Sequence, residues 1–461
     1  MTTLEQTDTL PVPREALAAI DALEAAGFEA WLVGGFVRDS LLGSRPKDID
    51  IASSAPWQQA RDVFAAQGWK TRESGTKHGT LTVVIGETSF EVTTFRADGP
   101  YRDARRPDSV TFVRSLDEDL ARRDFTINAI AFHPRRGIHD PFGGIDDLQA
   151  GIIRAVGDPG RRFGEDALRI LRACRLVAQL GFALDPATYR AMCASKGLLG
   201  LISSERILQE LRRLILAPFA GKALLETVDV LSAVLPELVA MKGFDQRTPY
   251  HVYDVLEHTA RVVDGVPPYE LVRWAALFHD MGKPATYFLG EDGRGHFYGH
   301  GRVGAGMARG AMERLGMSRA FQGRVVDLVI HHDDMVEPTR ASVRRMLVKL
   351  GGDVELARAL FELKRSDALA QAPSCARNAE GAEAMLAILD GIVAEDAAFS
   401  VRDLSIGGRE VMALGVPEGP LVGQALAAAL DAVVEERVEN EAAALTRFVE
   451  DWLESAARGI S

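Results

Sequence analysis

Two aspartates, Asp48 and Asp50, are the first residues of this chain whose types and spacing indicate chemistry. Side chains two positions apart on a β-strand point to the same face, so these two carboxylates would lie together on a strand. Mg²⁺ binds carboxylate oxygens and keeps coordination positions for substrate phosphates, which makes such a pair a candidate catalytic site. An Asp-Ile-Asp sequence by itself is more often a solvated strand end, so the neighbouring residues must decide between the two interpretations.

A glycine pair before the aspartates favours the metal site. Gly34 and Gly35 separate an apolar, strand-like segment from a helical pattern over 36–42 that contains Arg38. Glycine lets the backbone approach a ligand closely, and the first N–H groups of a helix can bind phosphate. Glu91, on a predicted strand over 90–95, is a candidate third carboxylate, although an exposed strand glutamate explains it equally well.

A second pattern places an acid and several bases on one predicted helix. Asp166, Arg169, Arg172 and Arg175 follow at three-residue steps within a helical pattern that begins at Phe163, so they are expected to share a face. Such a ladder can simply stabilise a helix. It can also read a base, because an aspartate that accepts from an exocyclic amine and an arginine that donates to a ring nitrogen fit cytosine and adenine, but not uracil and guanine.

A third pattern predicts a separate metal site later in the chain. Most of the ten histidines lie between residues 251 and 332, and His251, Asp254 and His258 are expected to share a helix face. Imidazoles and carboxylates in this mixture suit a divalent transition metal or Mg²⁺ that activates water on a phosphate. The predicted ligands are His258, His279, Asp280, His300, His331 and Asp367, with His251 and His332 left open as alternatives to His258 and His331.

Length and composition indicate what class of protein carries these sites. The chain has 461 residues, 47% of them hydrophobic, which suggests about three domains. The net charge of −12 disfavours a nucleic-acid partner on average, although arginines cluster near the first two patterns. Three scattered cysteines argue against a disulfide framework and for a cytoplasmic location. No signal peptide and no membrane-spanning segment is predicted.

The runs that carry these residues resemble the nucleotidyltransferase superfamily that includes DNA polymerase β. They are the run 32–50, the run Arg-Arg-Asp-Phe-Thr-Ile-Asn-Ala over 122–129 and the run Glu-Asp-Ala-Leu-Arg over 165–169. More narrowly, they resemble the bacterial and eukaryotic CCA-adding tRNA nucleotidyltransferases, together with bacterial poly(A) polymerases. The resemblance implies an α+β fold. A small nucleotidyltransferase head (14–150) with a mixed or antiparallel sheet of five strands would precede an all-α neck (151–220), body (221–375) and tail (376–461).

The same resemblance implies roles for individual residues. Asp48 and Asp50 would hold two magnesium ions, and Arg123 would bind triphosphate oxygens with a charged group that never deprotonates. Asp124 and Asn128 would bind the sugar hydroxyls. The complete set expected to bind the nucleotide is Gly34, Gly35, Arg38, Arg123, Asp124, Asn128, Asp166, Arg169, Arg172 and Arg175.

The histidine-rich region resembles the HD phosphohydrolase domain. The expected function is therefore template-independent addition of CCA to tRNA 3′ ends from CTP and ATP, with a metal-dependent phosphohydrolase in the body. The alternatives are a bacterial poly(A) polymerase, a partial enzyme that adds only part of CCA, an HD phosphohydrolase whose head only docks RNA, and a non-catalytic RNA-binding protein. The run His78-Gly79-Thr80 argues against a poly(A) polymerase, and an arginine-bearing loop over 98–109 argues against addition of CC alone. The sequence does not indicate an oligomeric state.

Overall fold

The computed structural model describes residues 10–46, 48–75, 79–98, 110–395, 401–435 and 437–457. The chain forms two compact units, Met1–Pro236 and Glu237–Ser461. His78 and all but the first residue of the predicted loop over 98–109 lie outside the described residues.

The first unit begins with a mixed α/β region and continues as helices. Its strands are β1 (Ala30–Val33), β2 (Asp50–Ser53), β3 (Lys70–Gly75), β4 (Thr80–Ile85), β5 (Thr88–Thr94), β6 (Arg96–Asp98), β7 (Val110–Phe112), β8 (Ala131–His133), β9 (Gly137–His139), β10 (Ile152–Ile153) and β11 (Ala183–Leu184). Its helices are α1 (Arg14–Ala25), α2 (Gly35–Leu41), α3 (Trp57–Ala66), α4 (Leu116–Ala121), α5 (Gly144–Ala150), α6 (Pro159–Glu165), α7 (Leu168–Leu180), α8 (Pro186–Ser195), α9 (Ser204–Ile215) and α10 (Ala220–Leu231).

Seven of these strands form one sheet in the order β3-β4-β5-β2-β1-β8-β9. Neighbouring strands are antiparallel except β2 and β5, which are parallel. Leu81 and Val83 on β4 are buried while Thr82 between them is less so, as expected for a strand with one covered face. The predicted mixed or antiparallel sheet is confirmed, but five strands was too few. β8 and β9 have three residues each, too short for alternation to reveal them.

The register of the sheet brings the glycine pair and the carboxylates to one place. Leu32 pairs with Ile51, so the end of β1 lies beside the start of β2, and Asp50 pairs with Glu91 on β5. β2 begins at Asp50, and Asp48 lies before it in a bend. The prediction that both aspartates lie on one strand is therefore wrong. Pro46, two residues earlier, lacks the N–H that a strand ladder requires.

The helical part of the first unit also departs from the sequence prediction, at Asp166 and at the parallel pair of β10 and β11, which lies in the segment predicted as an all-α neck. α6 ends at Glu165 and α7 begins at Leu168, and between them Asp166 has extended backbone angles (φ −138°, ψ 103°). Asp166 Oδ1 accepts a hydrogen bond from the Leu168 N–H at 3.1 Å. A continuous helix from Phe163 was therefore wrong. The aspartate side chain competes for the backbone donor and starts a new helix instead. α7 packs its apolar face against α9 and α10.

Among its described residues, the second unit is helical apart from one short hairpin, in agreement with the predicted all-α body and tail. The hairpin is formed by β12 (Phe288–Leu289) and β13 (Gly295–His296). The helices are α11 (Val255–Gly265), α12 (Glu270–Phe278), α13 (Lys283–Thr286), α14 (His300–Arg314), α15 (Arg319–His331), α16 (Arg340–Lys349), α17 (Val354–Leu369), α18 (Ala376–Ala394), α19 (Gly408–Ala413), α20 (Pro420–Val434) and α21 (Ala442–Ala457).

Two features of this unit bear on the predictions. α11 begins at Val255, and Asp254 caps it by accepting the N–H of Glu257, so His251 lies outside the helix that the sequence analysis extended to it. Aspartate at this position favours a helix start because its oxygen satisfies a donor that has no partner within the helix. In the described part of the chain, no helix combines the length and the apolar character needed to span a bilayer.

Candidate active sites

One cavity of the first unit, about 670 Å³ in volume, gathers the residues predicted from the first two patterns. It is lined by Asp48, Asp50 and Glu91, and by all ten residues expected to bind the nucleotide. These residues come from the β1–α2 turn, the start of β2, the strand β5, the segment after α4 and the start of α7. Residues far apart in the sequence therefore line the same cavity.

The three carboxylates lie where β2 and β5 run side by side. Burial raises the pKa of Asp50. The nearby Arg123 opposes this rise, whereas the carboxylates of Glu91 and Asp48 add to it. A buried carboxylate whose pKa is raised by neighbouring acids is a suitable place for a cation. Among the described residues, these three do not bring their oxygens within 4.8 Å of one another as a group. An open arrangement of this kind fits Mg²⁺, which keeps water and substrate oxygens as ligands.

Gly34 allows Arg123 to approach these carboxylates. Its φ of 71° is unfavourable for other residues, and a Cβ there would lie 3.0 Å from Arg123 Nη1 and 3.6 Å from Asp50 Oδ2. A side chain at this position would therefore strain the turn and crowd the cationic group. Glycine keeps the backbone, the guanidinium and the carboxylate close together.

A buried aspartate orients two of the cavity arginines. Asp119 is fully buried, accepts two hydrogen bonds from Arg122 and pairs with Arg123 Nη2 at 3.2 Å. Burial alone would raise the pKa of Asp119, but the two guanidinium groups outweigh it and lower the pKa. Asp119 therefore stays ionised and holds both arginines at the cavity wall.

Asp124 and Asn128 form the centre of a network that crosses the cavity. Asp124 Oδ1 accepts from Asn128 Nδ2 at 3.1 Å, and its Oδ2 pairs with Arg172 Nη2 at 2.8 Å. Arg38 Nη1 donates to Asn128 Oδ1 at 2.6 Å. Burial would raise the pKa of Asp124, but Arg172 and the bond from Asn128 lower it to about 2. The network joins α2 of the head to α7 of the neck.

The predicted base-reading pair, Asp166 and Arg169, is held in place by contacts with other protein groups. Arg169 is buried, and its guanidinium donates to Glu165 Oε2 at 2.9 Å and to the carbonyl oxygens of Arg162 and Arg122. Asp166 is bound to the start of α7 and pairs with Arg206 Nη2 at 3.5 Å. Guanidinium has five N–H donors, so Arg169 keeps donors for a ligand after these three bonds.

Sequence reasoning missed several residues of this cavity. Arg206 and Arg213 on α9 line it, although the sequence analysis assigned no site residue to that helix. Their seven-residue spacing places them two turns apart on one face, a signal that could have identified them. Thr80 and Thr93, whose hydroxyls lie 3.1 Å apart on β4 and β5, also line the cavity.

The second site lies in the second unit and is built around Asp280. Two groups of three residues have ligand atoms within 4.8 Å of one another: His258, His279 and Asp280, and Asp280, His300 and His332. Asp280 Oδ2 lies 3.2 Å from His279 Nε2 and 3.4 Å from His258 Nε2. Its Oδ1 lies 3.5 Å from His300 Nε2 and 3.7 Å from His332 Nε2. One carboxylate therefore faces two sets of imidazoles.

The structure decides which alternative histidines reach this cluster. Asp367 Oδ1 lies 2.9 Å from His258 Nε2, so this predicted pair is brought together. His331 was predicted as a ligand, but its Nδ1 pairs with Asp334 Oδ2 at 2.8 Å, and His332 contacts Asp280 instead. Adjacent residues at a helix end point in directions about 100° apart, so only one of the two can face the centre. His251 lies beside Lys283 and belongs to neither group.

Lys283 is the residue of this site that sequence reasoning missed. Its Nζ lies 2.7 Å from Asp280 Oδ2 and donates to Gln246 Oε1 at 2.8 Å. Burial would raise the pKa of Asp280, but His279 and Lys283 lower it well below the usual range. The signal was the position of Lys283 three residues after Asp280, which is the spacing of neighbours on a helical turn. Gly282 lets the backbone before Lys283 approach the start of α14 closely, because a Cβ there would lie 2.2 Å from the His300 carbonyl oxygen.

Family models match most of the chain in four segments. The model described as Poly A polymerase head domain matches residues 30–154, and the model described as HD domain matches 248–371. A model for an RNA- and SrmB-binding site of polymerase A matches 181–241, and one for domain 2 of tRNA nucleotidyltransferases matches 358–449.

Curated relatives are named as CCA-adding enzymes. The chain is 44% identical over 281 residues to the one from Geobacillus thermodenitrificans, an alignment that covers 60% of this chain and 66% of the relative. It is 50% identical over 230 residues to the one from Anoxybacillus flavithermus, covering 50% of this chain and 57% of the relative. These alignments span less than two thirds of the relatives' length.

A solved structure is similar over the full length. The crystal structure of the Bacillus stearothermophilus CCA-adding enzyme in complex with CTP is 31% identical, covers 100% of both chains and has a TM-score of 0.75. The complex of the Thermotoga maritima CCA-adding enzyme with tRNA is 19% identical, covers 96% of both chains and has a TM-score of 0.56, a likeness of fold.

Proposed function

We propose that this chain, which belongs to the family of CCA-adding enzymes, adds C, C and A to the 3′ ends of tRNA from CTP and ATP without a nucleic-acid template. One observation carries this proposal. The cavity that contains Asp48 and Asp50 also contains Asp166 and Arg169, so a single nucleotide can meet the reacting carboxylates and the base-reading pair at once. A nucleotidyl transfer site that carries its own base reader needs no template strand.

Asp48 and Asp50 would hold Mg²⁺, with Glu91 as a further carboxylate beside Asp50. When bound there, the ion supplies positive charge that lowers the pKa of the tRNA 3′-hydroxyl and neutralises the leaving pyrophosphate. Arg123, held by Asp119, binds the triphosphate close to Asp50. Its fixed guanidinium is in position before the reaction begins and therefore needs little reorganisation.

The sugar and the base are bound by residues that the protein has already oriented. Asp124 and Asn128 face the cavity, where they form hydrogen bonds with the ribose hydroxyls. Arg172 holds Asp124 in place, and Arg38 holds Asn128. Asp166 accepts from the exocyclic amine of C or A, and Arg169 donates to the neighbouring ring nitrogen. Uracil and guanine present the opposite pattern and leave polar groups unpaired, at a cost of about 1–3 kcal/mol for each group.

The poly(A) polymerase alternative would use the same carboxylates with ATP alone, so nucleotide use separates the two. Purified protein is incubated with a tRNA transcript that lacks CCA, and the products are resolved to single nucleotides. CTP alone should extend the tRNA by C residues only, CTP with ATP should complete CCA, and ATP alone should extend only a tRNA that ends in CC. A long run of A from ATP alone would identify a poly(A) polymerase. Addition of A to a tRNA that ends in CC, with no addition of C from CTP to the tRNA that lacks CCA, would identify a partial enzyme.

A metal-dependent phosphohydrolase in the second unit is a second candidate function, favoured by the buried ligand groups around Asp280. His258, His279, His300, His332, Asp280 and Asp367 would hold a divalent transition metal or Mg²⁺. Neutral imidazoles with a carboxylate suit transition metals, and a bound ion lowers the pKa of its water for attack on a phosphate. Lys283 would hold Asp280 and face the phosphate charge. We assign both activities to the cytoplasm.

A further inference from the structure

Two threonines on neighbouring strands line the head cavity, and the proposed function does not use them. Thr80 on β4 pairs in register with Thr93 on β5, and their hydroxyl oxygens lie 3.1 Å apart. Within the described residues, each hydroxyl has the other as its only hydrogen-bond partner. The next threonine, Thr94, points to the opposite face, where its buried hydroxyl donates to the Ala55 carbonyl oxygen. Unlike Thr94, the pair in the cavity satisfies no backbone group.

The register of the sheet places this pair beside the reacting carboxylates. Asp50 pairs with Glu91, and Thr93 follows Glu91 by two residues and so lies on the same face. A two-residue step along a strand is about 7 Å and neighbouring strands are about 5 Å apart, so the Cα atoms of Asp50 and Thr93 are about 8 Å apart. With a side chain and a metal ion on one side and a side chain on the other, this gap suits two adjacent hydroxyls of one ribose.

The residues that bind the incoming nucleotide lie on the other side of Asp50. In the strand order β4-β5-β2-β1, Gly34 follows β1, and a Cβ there would lie 3.0 Å from Arg123 Nη1. The triphosphate is therefore expected on the β1 side of Asp50. Phosphoryl transfer places the attacking and leaving oxygens roughly in line, on opposite sides of the phosphorus. The attacking 3′-hydroxyl of the tRNA must then approach from the β5 side, where Thr80 and Thr93 lie.

The chemistry of the threonine pair selects the group that it can bind. Two hydroxyls that share one hydrogen bond keep one O–H donor and several lone pairs for a ligand. A phosphate oxygen only accepts hydrogen bonds, and the negative charge of the neighbouring Glu91 disfavours it. A ribose 2′-hydroxyl both donates and accepts, and it is adjacent to the attacking 3′-hydroxyl. The pair is therefore suited to a 2′-hydroxyl.

We propose that Thr80 and Thr93 bind the 2′-hydroxyl of the terminal tRNA nucleotide and so place its 3′-hydroxyl at Asp50. The inference rests on the proposed addition of C, C and A, and it assigns the acceptor side of that site. Because the two threonines contact the acceptor and not the incoming nucleotide, they affect recognition of the tRNA end and not the choice of base. They also select a ribose end over a deoxyribose end, which lacks the bound group.

Two tRNAs test this proposal with the full-length protein, Mg²⁺ and ATP. Both end in CC and differ only in the terminal C, which carries ribose in one and 2′-deoxyribose in the other. Thr80→Val combined with Thr93→Val removes both hydroxyls and keeps the side-chain shape, so neither hydroxyl is left without its partner. Thr80→Ser combined with Thr93→Ser keeps both hydroxyls. The control Thr88→Val removes a hydroxyl at the far end of β5, outside the cavity.

The single-turnover rate of A addition is measured for each protein on each tRNA. For wild type, the deoxyribose end should lower the rate by about 5- to 100-fold, because the threonine hydroxyls lose the partner that they bind in the cavity. The double valine variant should lose a similar factor on the ribose end and show no further loss on the deoxyribose end. The double serine variant and Thr88→Val should match wild type on both ends.

Four results separate this proposal from its alternatives. Equal rates of wild type on the two ends would overturn it without any variant. A double valine variant that loses the same factor on both ends, or loses nothing, would also overturn it. So would a loss on the deoxyribose end of wild type far larger than the loss caused by valine, since another group would then bind the hydroxyl. Failure of wild type to add A even to the ribose end would instead refute the proposed function.

Discussion

The head cavity and the Asp280 cluster hold their charged groups in opposite ways. Around Asp280, buried imidazoles and carboxylates have ligand atoms within 4.8 Å of one another, and Asp280 and Asp367 carry lowered pKa values because histidines, and for Asp280 also Lys283, outweigh burial. In the head, the carboxylates are spread along a wide cavity, and burial with neighbouring acids raises the pKa of Asp50. The Asp280 cluster is assembled by protein atoms alone, while the head cavity lacks part of its balancing charge.

This difference indicates what each site requires from its ligand. Under the proposed phosphohydrolase function, the preassembled Asp280 cluster would bind a metal through protein atoms and would then need only a phosphate and water. Under the proposed function, the head cavity holds its arginines, its sugar-binding residues and its base-reading residues in place in advance, whereas its carboxylates would gain balancing charge from the bound metal. Under the proposed function, the wide cavity would also accept a tRNA end beside the nucleotide, which a closed ligand cage would not permit.

The largest expected effect comes from removing a head carboxylate. Asp50→Ala should lower the rate of nucleotide addition by at least about 100-fold, because charge stabilisation in the transition state is lost while tRNA binding is kept. The rate is measured by single-turnover addition to a tRNA that lacks CCA, and tRNA affinity by filter binding. Asp62→Ala, an exposed aspartate on α3 outside the cavity, is the control and should behave as wild type. Near-normal addition by Asp50→Ala would refute the metal assignment.

A pair of neighbouring histidines tests the second site. His332→Ala should lower metal-dependent hydrolysis by about 100-fold, since a direct contact of Asp280 is lost, whereas His331→Ala should retain it because His331 pairs with Asp334. Both variants should keep CCA addition, because its residues lie in the other unit. Metal content after dialysis and the rate of hydrolysis are measured together. Loss of hydrolysis in His331→Ala with retention in His332→Ala would contradict the assignment of His332 to the Asp280 cluster.

Base selection is expected to change by a smaller factor. Asp166→Asn keeps an oxygen that can accept from the Leu168 N–H but replaces a carboxylate oxygen by a donor, so preference for CTP over UTP should fall by about 5- to 100-fold. Asp158→Asn is the matched control, because Asp158 caps α6 in the same way but does not line the cavity. The ratio of kcat/KM for CTP and UTP is measured. If selection is intact in Asp166→Asn, another part of the protein reads the base.

The sequence was sufficient to predict site residues that are defined by their spacing or by a family motif. It was insufficient where the direction of a side chain decides whether a residue belongs to the site. The glycine pair, the Arg-Arg-Asp run and the residues on α7 line one cavity as expected. The choice between His331 and His332 depended on where α15 ends, and two adjacent histidines do not reveal that position. Arg206 was missed because its pairing with Asp166 joins residues 40 positions apart. The break at Asp166 was missed because helical periodicity continues across it, while its side chain accepts the N–H of Leu168, two residues later.

The smallest effect concerns stability and tests the network that joins the head to the neck. Asp124 has a pKa of about 2 in the folded chain, below its usual 3.8, because Arg172 and Asn128 outweigh burial. A group with a depressed folded pKa stabilises the protein above its unfolded pKa and loses that contribution as pH falls through the folded pKa. The contribution is about 2 kcal/mol at neutral pH and about half of that at pH 3. The unfolding free energy of wild type should therefore exceed that of Asp124→Asn by less at pH 3 than at pH 7, as measured by urea unfolding. Arg172→Gln removes the main opposing charge and should also reduce this pH dependence. A wild-type advantage that stays constant between the two pH values would mean that Asp124 is not held ionised by Arg172.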